Sequence, residues 1–186
     1  MPPSMTQAQD GPQPEPAASD PHRDPVTGAA TEASLLRFIE AVLAMAEPVG
    51  PQVGLLCLEI DGLDRLPSHH GDALGALVRD AVLLGVADRL HEQVRGQDLV
   101  GRLDDGFGIC LADIFPVQAQ GAAERLLRVM RHLPVPTPVG AVPLTCSIGL
   151  ALSRGGAEDT AALVNRARAL RQAARRGGGD GIVTAI

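Results

Sequence analysis

The sequence predicts an α+β fold in which helices flank a mostly antiparallel sheet. Short apolar runs bounded by Gly and Pro alternate with longer segments whose apolar residues have helical spacing. Two of the short runs flank Asp105-Gly106, which is typical of an antiparallel hairpin. Apolar residues make up 45% of the 186 residues and the net charge is −6, which is a globular composition.

The predicted elements follow one another as helix, strand, helix, hairpin, helix, strand, helix, strand. This order is typical of a ferredoxin-like α+β sandwich. The helices are predicted over 31–45, 72–94, 117–132 and 160–176, and the strands over 53–61, 99–103, 107–111, 144–151 and 182–184. A Pro-rich loop is expected before the strand over 144–151. The core-facing candidates of the second helix are Leu74, Leu77, Val78, Val82, Val86 and Leu90.

Residues 1–25 are predicted to form a disordered tail, and residues 26–186 a single domain. The tail holds seven of the fifteen prolines and has no apolar periodicity. Order is expected to begin near Asp24–Gly28.

The composition excludes several classes of protein. No run of eighteen apolar residues exists and no basic flank precedes an apolar run, so neither a membrane span nor a signal peptide is expected. The acidic balance and the absence of Trp and Tyr argue against nucleic acid as a partner. All sixteen basic residues are Arg, which excludes Schiff-base lysine chemistry.

The three cysteines lie inside apolar runs and form no metal-binding pair. Cys57, Cys110 and Cys146 are therefore expected to be buried and free, as is typical of a reducing compartment. We expect the protein to be cytoplasmic.

Two pairs of carboxylates follow predicted strands. Glu59 and Asp61 end the first strand, and Asp104 and Asp105 form the tip of the hairpin. If these strands are neighbours, up to four carboxylates converge at one sheet edge, where they would suit Mg²⁺ carrying nucleotide phosphates. The alternative is that they are solvated turn residues.

The last helix carries five arginines: Arg166, Arg168, Arg171, Arg175 and Arg176. Such a helix either docks an acidic partner or anionic surface, or presents a solvated face with a favourable cationic C-terminus.

Four segments resemble, in order and spacing, the motifs of the GGDEF domain family of diguanylate cyclases. Residues 24–28 resemble DxLTG, residues 59–63 resemble DxDxF, residues 102–107 stand where the family has R-x-GGDEF, and residues 147–151 resemble SIGIA. The resemblance covers roughly residues 24–186. It implies a ferredoxin-like/cyclase-palm sandwich, related to the palm of adenylate cyclases and polymerases, in a bacterial signalling protein.

The resemblance also implies a chemistry, from which this sequence departs. Members condense two GTP molecules to cyclic di-GMP, with Mg²⁺ held by two carboxylates. Glu59 stands at the first of these positions. The motif reads Asp104-Asp105-Gly106-Phe107, one residue short, with no acidic residue directly before Phe107. The metal candidates are thus Glu59, Ile60 and Asp105, and Mg²⁺ is expected as a cofactor only if the chain is active.

Further family positions are changed. Pro67 and Ala76 stand where the family reads guanine, and Asp64 stands where it has the Lys of FK. Ala174 aligns with a phosphate-binding Lys, although arginines follow at 175–176. These changes predict a degenerate domain without catalytic residues.

One family feature is kept. Arg95-Gly96-Gln97-Asp98 is an RxxD that ends five residues before the motif, and the resemblance implies an inhibitory-type site for cyclic di-GMP there. The alternative is that Asp98 only caps a turn.

We therefore predict a non-catalytic cyclic di-GMP module. It is expected to bind the nucleotide at Arg95 and Asp98, a protein partner, or both, and a homodimer is also compatible with the sequence. An atypical active cyclase using Glu59 and Asp105, and a purely structural interaction domain, remain as alternatives.

Overall fold

The structure is a computed structural model that describes residues 20–65, 73–154 and 158–185. It has four helices in these residues, α1 (Glu32–Met45), α2 (Ala73–Gln93), α3 (Pro116–His132) and α4 (Thr160–Arg176), and a short 3₁₀ helix at Leu63–Arg65. The strands are β1 (Gln52–Ile60), β2 (Leu99–Leu103), β3 (Gly106–Ile114), β4 (Val135–Thr137), β5 (Gly140–Val142), β6 (Cys146–Leu152) and β7 (Gly181–Ala185).

The main sheet has five strands in the order β2-β3-β1-β6-β7. Its first four strands pair antiparallel, while β7 runs parallel to β6. The predicted α+β class with a mostly antiparallel sheet is confirmed. Leu58 of β1 lies opposite both Phe107 of β3 and Ile148 of β6. This register places the end of β1 beside the β2–β3 turn.

Helices cover both faces of the sheet, and each face has its own core. Leu56 and Leu58 of β1 belong to the core with α2 and α3, whereas Leu55 and Cys57 belong to the core with α1 and α4. Because alternate residues of a strand point to opposite faces, a strand covered on both sides must be apolar throughout. This explains the unbroken apolar run at the centre of β1.

The prediction for the core face of α2 is partly wrong. Val78, Val82 and Val86 are buried as expected, but Leu74 and Leu77 are 49% and 57% exposed. A spacing of four residues turns the helix face by about 40° at each step. The face of α2 that contacts the core therefore rotates along its 21 residues. As a result, Leu74 near the start of the helix does not lie on the same face as Leu90 near its end.

The Pro-rich segment after α3, predicted as a loop, contains the β4–β5 hairpin. Val135 lies opposite Val142, and Pro136 lies opposite Ala141. A two-stranded ribbon tolerates prolines because its outer edges need no donor. Val135 is 1% exposed, and a Cβ on Gly85 of α2 would lie 2.6 Å from its side chain. Packing against α2 thus places this hairpin, which periodicity did not indicate.

The segment before α1 forms a turn built on Asp24. Its Oδ2 accepts hydrogen bonds from the main-chain N and the Oγ1 of Thr27 at 2.8 and 2.7 Å. Gly28 follows with φ +68°, a conformation that glycine adopts freely. Arg23 forms a bridge with Ala30, so the last residues assigned to the tail make contacts with the domain. The remainder of the predicted tail, residues 1–19, lies outside the described residues.

None of the helices in the described ranges combines the length and apolar character needed to cross a membrane.

Candidate functional site

The candidate site lies where the end of β1, the β2–β3 turn and α4 meet. Gly149 of β6 lies opposite Cys57 of β1. A Cβ on Gly149 would stand 2.2 Å from the main-chain N of Arg171 and 2.3 Å from the carbonyl oxygen of Ala167. The backbone of α4 therefore rests directly on β6, because glycine leaves room for it. This contact directs Arg171 toward the end of β1.

Two carboxylates and two guanidinium groups form what we call the ion-pair cluster: Glu59, Asp105, Arg171 and Arg175. The Nη2 of Arg171 pairs with Oδ2 of Asp105, and its Nε lies 3.5 Å from Oε2 of Glu59. The Nη1 of Arg175 pairs with Oε1 of Glu59, and its Nη2 lies 3.5 Å from Oδ2 of Asp64. Both oxygens of Glu59 thus face a guanidinium group.

Burial differs strongly across the cluster. The side chain of Arg171 is 4% exposed and that of Glu59 is 12% exposed, whereas that of Asp105 is 46% exposed. Burial raises the pKa of Glu59, and the two arginines only partly oppose this effect. The hydrogen bond from Arg171 lowers the pKa of Asp105. The cluster therefore holds a charged arginine inside the protein between two carboxyl groups of unequal acidity.

The four predicted carboxylates do not share one site. Asp61 accepts hydrogen bonds from Oγ1 of Thr145 at 2.8 Å, from Oγ of Ser147 at 2.7 Å and from the main-chain N of Asp180 at 2.8 Å. It ties β1 to β6 and to the start of β7. Asp104 is exposed and borders a separate open cavity of about 320 Å³. Only Glu59 and Asp105 converge, and they converge on Arg171.

The predicted magnesium site is filled by side chains. No group of three or more His, Cys, Asp or Glu that could hold a metal occurs among residues 20–65, 73–154 and 158–185. Ile60, the remaining metal candidate, is 3% exposed at the end of β1, opposite Cys146. The cation between Glu59 and Asp105 is the guanidinium of Arg171, so the residues present do not fit an added Mg²⁺ in this arrangement.

Gly106, directly before Phe107, lies against the backbone of β1. A Cβ at this position would stand 1.9 Å from the carbonyl oxygen of Leu58. Phe107 itself is fully buried in the core. The close approach of the two strands therefore excludes every side chain from the position that precedes Phe107.

The RxxD segment forms a tight turn between α2 and β2. Oδ2 of Asp98 accepts from the main-chain N of Arg95 at 2.9 Å, and Oδ1 accepts from that of Ala112 at 3.2 Å. Arg95 is exposed. Both residues border a cavity of about 30 Å³ together with Gln118 and Arg125 of α3. Arg125 was not expected at this site because nothing in the local sequence links α3 to the turn.

Four of the five arginines on α4 make ion pairs within the chain. Arg166 pairs with Glu158, Arg168 pairs with Glu32 at 2.6 Å, and Arg171 and Arg175 belong to the ion-pair cluster. Neither interpretation of this helix, a docking face for an acidic partner or a solvated face, anticipated these ion pairs, although Arg175 remains 54% exposed. Sequence reasoning missed Arg171 because a helical pattern does not show where a long side chain ends.

The sequence matches the family model described as "Diguanylate cyclase, GGDEF domain" over residues 21–180. Because this match covers most of the chain, the protein belongs to the GGDEF domain family. A curated relative, the bifunctional diguanylate cyclase/cyclic di-GMP phosphodiesterase MucR of Pseudomonas aeruginosa, is 30% identical over 128 residues. The match covers 68% of this chain but 18% of MucR, so the chain spans only a small part of that relative.

Solved structures of GGDEF proteins share the fold. The diguanylate cyclase SiaD of P. aeruginosa, solved with its activator SiaC, is 29% identical, with a TM-score of 0.78 over 89% of this chain and 62% of that chain. The GGDEF domain of YfiN from P. aeruginosa is 27% identical, with a TM-score of 0.79 over 89% and 95%. The GGDEF domain of DgcB from Caulobacter crescentus, solved with cyclic di-GMP, has a TM-score of 0.80 over 94% and 98% at 18% identity, which shows the fold alone.

Proposed function

We propose that this chain is a non-catalytic member of the GGDEF family that binds cyclic di-GMP at Arg95 and Asp98, alone or together with a protein partner. Membership of the GGDEF family supports a role in cyclic di-GMP signalling. The single observation that carries the loss of catalysis is Gly106. The family places a metal-binding carboxylate directly before the Phe of the motif, and here the carbonyl oxygen of Leu58 leaves no room for any side chain.

The geometry of the RxxD turn supports nucleotide binding. Asp98 is held in place by two main-chain donors, and an ionised carboxylate retains further acceptor sites for the N–H groups of a guanine edge. Arg95 is exposed, and Arg125 places a second guanidinium at the same surface. Planar guanidinium groups suit phosphate oxygens and guanine edges. The cavity of about 30 Å³ is too small to enclose a dinucleotide, so the ligand would lie across this surface.

The same hydrogen bonds favour a second candidate function, a domain that binds only a protein partner. Both Asp98 oxygens already accept main-chain hydrogen bonds, since Oδ2 caps the turn at Arg95 and Oδ1 accepts from Ala112 of β3, which is a structural role. Under this alternative, the arginine at the turn is a solvated side chain and no nucleotide binds.

Calorimetric titration of cyclic di-GMP into the purified full chain tests the proposal. We expect micromolar binding that weakens at least about tenfold in Arg95→Ala, because charge-assisted hydrogen bonds to phosphate are lost. Arg128→Ala is the matched control, since it removes an exposed arginine of α3 that does not border the site, and it should bind as the wild type does.

A parallel incubation with GTP and Mg²⁺, analysed by mass spectrometry, should yield no cyclic di-GMP. Formation of product that is lost in Glu59→Ala would overturn the non-catalytic assignment and support the atypical cyclase. Absence of dinucleotide binding would overturn the Arg95 site and support the partner-only domain.

A further inference from the structure

We infer that the guanidinium of Arg171 replaces a divalent cation in this chain: it holds Glu59 and Asp105 together and prevents them from binding metal. The inference rests on the loss of catalysis in the proposed function, because it explains how a domain without catalysis keeps two of its carboxylates close together.

Two negative charges converge at the cluster. Glu59 belongs to β1 and Asp105 to the β2–β3 turn, and the strand register brings the two carboxylates to one place. Two carboxylates at short range repel each other unless a cation lies between them. Oε2 of Glu59 and Oδ2 of Asp105 are the oxygens that face Arg171. The guanidinium therefore supplies, between the two carboxylates, the positive charge that a bound metal ion would otherwise supply.

Packing fixes the position of Arg171. Its side chain is 4% exposed. Its main-chain N packs so closely on β6 that a Cβ added to Gly149 would lie 2.2 Å from it. Its Nε and Nη1 are buried and make no hydrogen bond to the described residues, so charge pairing with the carboxylates is what compensates its burial. Moving a buried charge away from its partners costs several kcal/mol. A guanidinium also stays protonated at every accessible pH. The internal cation is therefore permanent, unlike a metal ion.

The second oxygen of Glu59 also faces a guanidinium group. Oε1 pairs with Arg175 and Oε2 faces Arg171, so a metal ion approaching either oxygen meets the positive charge of a guanidinium group. Divalent cations such as Mg²⁺ and Mn²⁺ are bound in proteins mainly through carboxylate oxygens and waters. Removal of both guanidinium groups should expose the carboxylate pair and create a divalent cation site that the wild-type chain lacks.

The test measures Mn²⁺ binding to the full chain by electron paramagnetic resonance. We expect Arg171→Met combined with Arg175→Met to bind Mn²⁺ at least about tenfold more tightly than the wild type, because two cations no longer compete for the carboxylates. Excess Mg²⁺ should displace the Mn²⁺. Addition of Glu59→Gln to the double variant should abolish the gain.

Arg176→Met is the matched control. Arg176 lies next to Arg175 on α4 but is exposed and outside the cluster, so its loss changes the net charge alone. Equal gains in the control and the double variant would show a non-specific charge effect and would overturn the inference. A folded double variant that binds Mn²⁺ no better than the wild type would also overturn it.

A second measurement starts from the wild-type chain and does not depend on the arginine variants folding. The Tm of the wild type should be the same in excess MgCl₂ and in EDTA. A rise in Tm with Mg²⁺ that disappears in Asp105→Asn would show a metal at this site and overturn the inference. Neither readout involves GTP turnover or cyclic di-GMP binding, so failure here is distinguishable from failure of the proposed function.

Discussion

At the scale of single residues, Glu59 and Asp105 share one arginine but differ in acidity. The pKa of Asp105 is lowered chiefly by its hydrogen bond with Arg171, while burial raises the pKa of Glu59. Asp105 is nearly half exposed, so its charged form keeps much of its hydration, whereas Glu59 loses most of it. The hydrogen bond from Arg171 decides the direction of the pKa shift at Asp105, whereas burial decides it at Glu59.

Asp105 should therefore stabilise the fold at neutral pH and lose this effect in acid. A carboxyl group whose pKa is lowered on folding contributes stability above its unfolded pKa of about 3.9, and this is lost as the pH falls through the lower folded value. Glu59 contributes in the opposite sense, since a raised pKa favours the fold only at low pH. We expect Asp105→Asn to be less stable than the wild type at about pH 7, and the difference to shrink at about pH 3.

Urea unfolding followed by circular dichroism at several pH values measures this difference. Asp104→Asn is the control, because Asp104 lies in the same turn and makes no ion pair with Arg171. Parallel pH profiles for the two variants would contradict the prediction.

At the scale of elements, the packing of α4 on β6 decides where the cluster forms. The helix approaches the strand so closely at Gly149 that its main chain packs directly on the main chain of β6, with no side chain between them. This approach lets Arg171 reach the turn that carries Asp105, and it lets Arg175 reach Glu59, which is 116 residues away in sequence.

Gly149→Ala should accordingly destabilise the protein severely. The new Cβ would meet the main chain of α4 at 2.2–2.3 Å, and backbone cannot move aside as a flexible side chain can. We expect a loss of about 3 kcal/mol or more in the free energy of unfolding.

The midpoint of urea unfolding, measured with Gly121→Ala as the control, checks this prediction. Gly121 lies in α3 and a Cβ there meets nothing within 4 Å, so alanine should be neutral or stabilising by up to about 1 kcal/mol. The prediction is wrong if Gly149→Ala is tolerated as well as Gly121→Ala.

At the scale of the whole molecule, the three free cysteines lie on adjacent central strands. Cys57 is in β1, Cys110 in β3 and Cys146 in β6, and each is at most 1% exposed. Burial raises the pKa of Cys57 and Cys110 to about 12 and raises that of Cys146 as well. The thiolate is the reactive form, so the fold protects all three cysteines both by burying them and by keeping their thiols protonated.

Labelling by DTNB should therefore report global unfolding. At about pH 8 we expect the native chain to react at least about 10³-fold more slowly than the chain in urea, since only rare unfolded molecules expose the thiols. The absorbance of the released thiolate gives the rate and the number of groups. Rapid reaction of any one cysteine in the native chain would show a local opening of its strand and contradict the prediction.

Local patterns in the sequence determined most of the architecture. Helical spacing placed α4 at Thr160–Arg176, and the Asp-Gly turn placed the β2–β3 hairpin. The ordered motifs indicated the family, which the family model confirms. These features are readable because burial imposes a period on neighbouring residues, and because turns require particular backbone conformations.

The tertiary structure alone decided the contents of the site. Neither the exposure of Leu74 nor the packing of Val135 against α2 follows from local spacing. The partners of Arg171 likewise depend on strand register and on the closeness of α4 to β6. An ion pair between residues that are far apart in the sequence leaves no periodic pattern around either residue. Its formation is set by where two independent elements come together, and at this site they bring an arginine to two carboxylates.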